Sequence, residues 1–315
     1  MSYAQFGLIE ASDFNTLVGG NPTTTANTLN ATWATGGGQA GYGQTAVGNV
    51  AVGQVVAATN WASLVNSTAN AASHQGTSIT SVSAPVAGGV ITYLSAIPTN
   101  LQTIYGARGN AASQGSTAAN TQTTVSSWTD YANFAFTVSF ANGDAARYFF
   151  NAGGQIKLTC AHSNTDAGIN AAFNTLASAT GTVVISGQNS GARTIAGTSY
   201  NGVTKVGGSG SATISQNSGY FGLSTGNTTI FDQDSGTAPY TSTVQINYLS
   251  RTNGPQGSNS DNGSIVYVNC VFDKISGNGV IGSGSSCTCT VVPPSTTYIA
   301  NTWGSITISG SQSVG

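Results

Sequence analysis

The chain has 315 residues, of which seven are basic and nine acidic, so only 5% of it is charged, against roughly 25% in an ordinary soluble domain. With 39% hydrophobic and 9% aromatic residues it can build a core, which excludes charge-driven disorder. Lys and Arg are too few to line a groove along a nucleic-acid backbone.

The first ~125 residues carry three helical patterns separated by low-complexity Gly, Thr, Asn and Ala segments. The first starts at Ser12 as N-cap, places Phe14, Leu17 and Val18 on one face, and stops at Gly19-Gly20. The second runs from about Thr59 to His74, with Trp61, Leu64, Val65 and Ala72 in one stripe and Gly76 as terminator. The third opens near Pro98, aligns Ile97, Leu101, Ile104 and Tyr105, and ends at Gly106. Each stripe is too small to hold a helix alone, so each must pack on something else.

From about Trp128 the period changes to two. Phe134, Phe136, Val138 and Phe140 alternate with small or polar residues, as in a strand with one buried face. Asn142-Gly143 is a hairpin signal, so Ala145–Phe150 is expected to be the partner strand, turning at Asn151–Gly154. On that strand Arg147, Phe149 and Asn151 would share one face, and Tyr148 and Phe150 the other. Both faces would then need cover. Gly153-Gly154 would permit the positive φ of a tight reversal. Gln155–Ala161 alternates again, and a helix from about Asn164 to Ser178 buries Ile169, Phe173 and Leu176.

Later strands are expected at Thr182–Ser186, Thr243–Leu249, Ser264–Phe272, Cys287–Val292 and Ser305–Ser309. The Gly/Ser/Asn-rich stretches Gly187–Gly219 and Arg251–Gly263 read as long exposed loops, or as segments ordered only against a neighbour. The expected fold is mainly β: a β-sandwich-like antiparallel domain with one packed helix over 126–315, after a small helical region over 1–125 that attaches or oligomerises.

Few residues could carry chemistry. His74 and His162 lie far apart and outside any nucleophile motif. His74 falls at a helix end, where it can satisfy terminal carbonyls. Asp232-Gln233-Asp234 and Asp261-Asn262-Gly263 do not match a calcium loop, and acids in turns ordinarily cap their own backbone. Gly207–Gly210 lacks the strand, helix and lysine of a phosphate cradle. Cys160, Cys270, Cys287 and Cys289 have no zinc spacing. Buried free thiols and disulfides within or between subunits both remain open for them. No cofactor, metal, nucleic acid or membrane is expected. Neither Met1–Phe6 nor any later stretch has a signal-peptide or membrane-span pattern, so synthesis in a cytosol is expected. A net charge of −2 gives little colloidal repulsion, which suits a surface covered by neighbours.

Two groups of residues are more specific. Ala145-Ala146-Arg147-Tyr148-Phe149-Phe150-Asn151-Ala152-Gly153-Gly154-Gln155-Ile156 resembles the A-R-x-F-F-N-x-G-G hairpin signature of tailed-bacteriophage virion proteins. Upstream, Phe6–Ile9, Tyr42-Gly43-Gln44-Thr45, Ala57–Leu64 and His74-Gln75-Gly76 are similar to the N-terminal portion of that group. The resemblance covers residues 1 to about 180 and implies a non-enzymatic structural protein of the neck, collar or tail. Its partners would be further copies of itself and other virion proteins, and its location the assembled particle. A receptor-binding tail module that grips a host-surface glycan through its loops and tyrosines is the alternative. A glycosidase using two of the nine acids is weaker still.

Overall fold

The computed structural model describes residues 10–19, 26–87, 95–164, 166–188, 191–236, 239–256 and 262–315. Gly20, the Met1–Phe6 start, Phe6–Ile9 and Asp261 lie outside them.

Four helices come first: α1 (Ala11–Val18), α2 (Leu29–Thr32), α3 (Ala58–Gln75) and α4 (Ala96–Gly106). The apolar stripes of α1, α3 and α4 are buried as their spacing requires, except that Tyr105 on α4 is only half-buried. Gly19 and Gly76 end α1 and α3 in the left-handed conformation. The N-cap of α1 is Glu10 and not Ser12: the Glu10 N–H donates to Asp13 Oδ2 at 3.1 Å, which starts the helix two residues earlier. The short α2 has no periodicity to announce it.

The rest is built on β1 (Ala118–Thr123), β2 (Tyr131–Ser139), α5 (Gly143–Asn151), β3 (Gln155–His162), α6 (Ile169–Thr180) and β4 (Thr182–Ile185). Then come β5 (Arg193–Ile195), β6 (Thr198–Tyr200), β7 (Val203–Val206), β8 (Thr213–Ile214) and β9 (Thr228–Asp234). The last four are β10 (Val244–Thr252), β11 (Ile265–Lys274), β12 (Ser285–Val292) and β13 (Thr307–Val314). A five-stranded sheet, β1-β12-β3-β4-β7, faces a six-stranded one, β13-β2-β11-β10-β9-β8. Every pairing within them is antiparallel.

The fold is mainly β, an antiparallel sandwich. Phe134, Phe136 and Val138 on β2, Val266, Val268 and Phe272 on β11, and Ile156 and Leu158 on β3 fill the space between the sheets. Helix α6 touches β3 of one sheet and β9 and β10 of the other, with Phe173 against Trp128 and Phe272 at ring distances of 5.2 and 5.8 Å. One continuous apolar core joins α1, α3 and α4 to the sandwich, from Phe14 and Trp61 through Phe149 to Trp303.

Four expectations are corrected. Ala145–Phe150 is not the partner strand of a hairpin but the body of α5. Helix α6 begins at Ile169 and not near Asn164, because the Asn164 side chain accepts the Asp166 N–H at 2.8 Å in a turn and Gly168 sits at φ 84°. Gly187–Gly219 is not one exposed loop: it holds β5 and β6 as a hairpin, while β7 and β8 extend the two sheets. Gly202 makes this possible, since at φ 58° a Cβ there would run into the Gln216 carbonyl. Arg251 and Thr252 belong to β10, and Gln256 Nε2 ties the following turn to the Tyr220 and Leu223 carbonyls.

Candidate functional site

Helix α5 forms because Asn142 caps it. Its Oδ1 accepts the Ala145 N–H at 2.8 Å, Asp144 stands in the first turn, and Ala145, Ala146 and Arg147 are good helix formers. The Asn-Gly pair that reads as a hairpin turn is therefore a helix start. Asn142→Ala is expected to cost about 1 kcal/mol in chemical denaturation; a loss below about 0.3 kcal/mol would show that packing alone sets the helix.

Helical spacing regroups the signature. Ala146, Phe149 and Phe150 turn into the core, where Phe150 stacks on Tyr220 at 4.3 Å and Phe149 meets Phe140 at 5.1 Å. Arg147 and Asn151, four apart, lie one above the other on a second face. That face grips the loop at residues 35–41. Arg147 Nη1 donates to the Thr35 carbonyl at 2.7 Å, the Ala40 carbonyl at 2.9 Å and the Gly36 carbonyl at 3.4 Å. Asn151 Nδ2 donates to the carbonyls of Ala40 at 2.8 Å, Gly41 at 3.1 Å and Gly38 at 3.3 Å. Arg147 Nε also contacts Asp144 Oδ1 at 3.3 Å. The half-buried Tyr148 ring lies over Gly43, where any Cβ would collide with it.

Gly153 and Gly154 have separate tasks. Gly153 alone takes a positive φ, of 93°. Gly154 leaves room for the Phe149 ring, which a Cβ would approach at 2.6 Å. The expectation that both glycines serve the reversal is corrected accordingly.

The upstream residues that share the resemblance meet α5 in space. Gln75 Nε2 donates to Tyr42 Oη at 2.7 Å and to the Ile104 carbonyl at 2.9 Å, and Tyr42 Oη donates to the Arg108 carbonyl at 2.9 Å. His74 stands edge-on to Tyr42 at 5.3 Å, with Nε2 at 2.9 Å from the Ala152 carbonyl just past α5. A carbonyl can only accept, so Nε2 carries a proton there. Gln44 makes a two-way amide pair with Ala300 (3.0 and 2.9 Å), and Thr302 Oγ1 donates to the Tyr42 carbonyl at 2.6 Å. Burial pushes the Tyr42 phenol up and lowers His74 to about 4. Segments up to 260 residues apart thus close one polar knot whose donors are spent mostly on backbone carbonyls. Such a knot can hold the 35–44 segment, α3 and the 300–302 segment against the sandwich. It presents no free nucleophile and no open acid–base pair.

The remaining candidates are placed as follows. Cys160 and Cys287 sit opposite each other on β3 and β12, and Cys270 lies on β11 of the facing sheet. All four cysteines are free thiols. Burial pushes Cys160 and Cys289 up to about 12 and also raises Cys287, so none of these three is a ready thiolate. The same surroundings raise the Tyr248 phenol, first through burial and then through the cysteines around it.

His162 lies 2.9 Å from Ser285 Oγ and 3.1 Å from Asn170 Oδ1, an arrangement sequence spacing did not announce. It is the order of a nucleophile, a base and an orienting amide, yet Ser285 is fully buried and no substrate carbonyl can reach its oxygen. Desolvation lowers His162 as well. Asp232 is raised by burial and then by Asp234, and Asp273 by burial and then by Asp130. Among the described residues, no group of three or more His, Cys, Asp or Glu is placed to hold a metal ion. No helix among them is long and apolar enough to cross a membrane. A groove of about 250 Å³ lies along α3 and α4, lined by Val65, Ala72, Ile79, Val82 and Ile97, with Asn100 pinning the Thr80 backbone at its floor.

Compared with known proteins, the chain matches no family model, no curated protein and no solved structure.

Proposed function

We propose that this chain is a non-enzymatic structural subunit of a tailed-phage particle, a multi-copy part of the neck, collar or tail that joins copies of itself to other virion proteins. The observation that carries this reading is the convergence of the residues behind the resemblance. Tyr42, Gln44, His74, Gln75, Arg147 and Asn151 meet in one sealed knot and bond chiefly to backbone. Residues that shape a fold and leave no reactive group exposed suit a scaffold part. Scarce charge supports the same reading, because Arg147–Asp144 is the ion pair found among the described residues. Contacts built from uncharged groups lose little to screening.

Light scattering on the purified chain tests the assembly half of the proposal. A defined multimer is expected, with mass unchanged between about 0.05 and 1 M salt. A monomer under all those conditions would overturn it. Antibodies against the chain are expected to decorate the neck or tail of purified tailed particles in electron micrographs, and particles left unlabelled throughout would sink the virion half.

A further inference from the structure

The two lateral sides of the sandwich are finished differently. On one side the sheets end in the four-residue β7 and the two-residue β8. Lys205 on β7 bridges the Ser209 carbonyl at 2.7 Å, the Gly210 carbonyl at 3.2 Å and Gln233 Oε1 at 2.7 Å. Short strands and an edge lysine are the usual protection against strand pairing between molecules. On the other side the sheets end in β1 and in the eight-residue β13, neither of which contains a charged residue or a proline. The β13–β2 ladder runs without a bulge, and six of the eight β13 residues are exposed.

The direction of the unpaired groups follows from the ladder. The Gly315 N–H donates to the Tyr131 carbonyl, one step beyond the Val314–Ala132 pair. Odd-numbered residues of β13 therefore bond to β2, and Ile308, Gly310, Gln312 and Val314 aim their N–H and C=O groups outward. The Ile308 carbonyl takes a long bond from Asn120 Nδ2 at 3.5 Å. The outward groups of Gly310, Gln312 and Val314 have no partner among the described residues.

We infer that β13 is a self-association edge: two copies of this chain pair β13 antiparallel about a two-fold axis at Ser311, merging their six-stranded sheets into one. The inference rests on the assembly reading above and names the surface it would use. The strand is complementary to itself in this register. Ile308 stands opposite the partner's Val314, and Gly310 opposite the partner's Gln312, so all four outward residues exchange bonds. Ile308 and Val314, half-buried at the margin of the core, are the two apolar residues of that set and meet each other, a favourable cross-strand pair. Gly310 has no side chain to crowd the partner's Gln312. A neutral edge meets its copy without repulsion, and a two-fold contact of this kind closes on itself.

Cysteine cross-linking in the full chain tests the register. Across the axis Ser311 faces the partner's Ser311 as a non-hydrogen-bonded pair, with Cα atoms about 4.5 Å apart, inside the ~4.4–6.8 Å range of a disulfide. Ser309 lies about four residues, roughly 13 Å, from its own counterpart. With oxidised glutathione, Ser311→Cys is expected to give a reducible covalent dimer and Ser309→Cys none. Gln312→Pro removes an outward N–H and no bond to β2, and is expected to halve the mass seen by light scattering. If the wild-type chain is multimeric but the two cysteine variants cross-link equally, or Gln312→Pro keeps the full mass, this edge is overturned and the assembly reading stands. A monomeric wild-type chain overturns both.

Discussion

Replacing Arg147 with alanine is expected to destabilise the protein by about 3–5 kcal/mol, the largest effect of any single polar substitution in the knot. The side chain is 1% exposed, and its guanidinium serves the carbonyls of Thr35, Gly36 and Ala40 at once. Truncation leaves buried acceptors without donors, each costing about 1–3 kcal/mol, and opens a cavity besides. Arg147→Lys keeps the charge but loses the planar fork, so an intermediate loss is expected. The Asp144 contact contributes little, because that carboxylate is 31% exposed; Asp144→Asn should cost below about 1 kcal/mol. Denaturant unfolding of the three variants checks the order. A loss below about 1 kcal/mol for Arg147→Ala would show that apolar packing alone holds the 35–41 loop.

Acid is expected to weaken the fold through His74. Burial lowers its folded-state value to about 4 from an ordinary 6.5, against a smaller upward pull from the Ala152 carbonyl. Between those values the unfolded chain binds a proton that the folded chain refuses, so stability rises with pH across the window. The contribution is complete above about pH 6.5 and is lost as pH falls toward 4, by about 3 kcal/mol in all. His162 is also lowered by burial and acts in the same sense. The raised carboxyls Asp232 and Asp273 act in the opposite one. His74→Gln can still donate to the Ala152 carbonyl but cannot titrate. Its unfolding free energy should be lower at pH 7 and much flatter between pH 6.5 and 4. An unchanged slope in this variant would assign the acid sensitivity elsewhere.

What could be read from sequence depended on how local the governing physics was. Alternation over Phe134–Val138 and Val266–Phe272 marked β2 and β11, since one buried face imposes a period of two on the chain itself. Helices α1, α3 and α4 showed their stripes and glycine stops for the same reason. Strand β1, with no large apolar residue among Ala118–Thr123, left no such trace, because its order comes from pairing with β12, more than 160 residues later. Strands β5 to β8 were equally silent: they are two to four residues long, and the glycines between them permit close backbone approach and carry no periodicity.

Helix α5 is hidden in the sequence because Arg-Tyr-Phe-Phe-Asn after Asn-Gly fits two periods at once, and only burial on all sides decides between them. In the helix, Arg147 and Asn151 point together at a loop more than a hundred residues upstream. The chain alone thus determined the scarcity of charge, the apolar faces and the members of the knot as separate motifs. Tertiary structure decided that these motifs meet, that their polar atoms are sealed, and that the outward backbone groups of Gly310, Gln312 and Val314 on β13 find no partner among the described residues. Each of those outcomes depends on which distant backbone groups find partners, and that is settled only when the whole chain has packed.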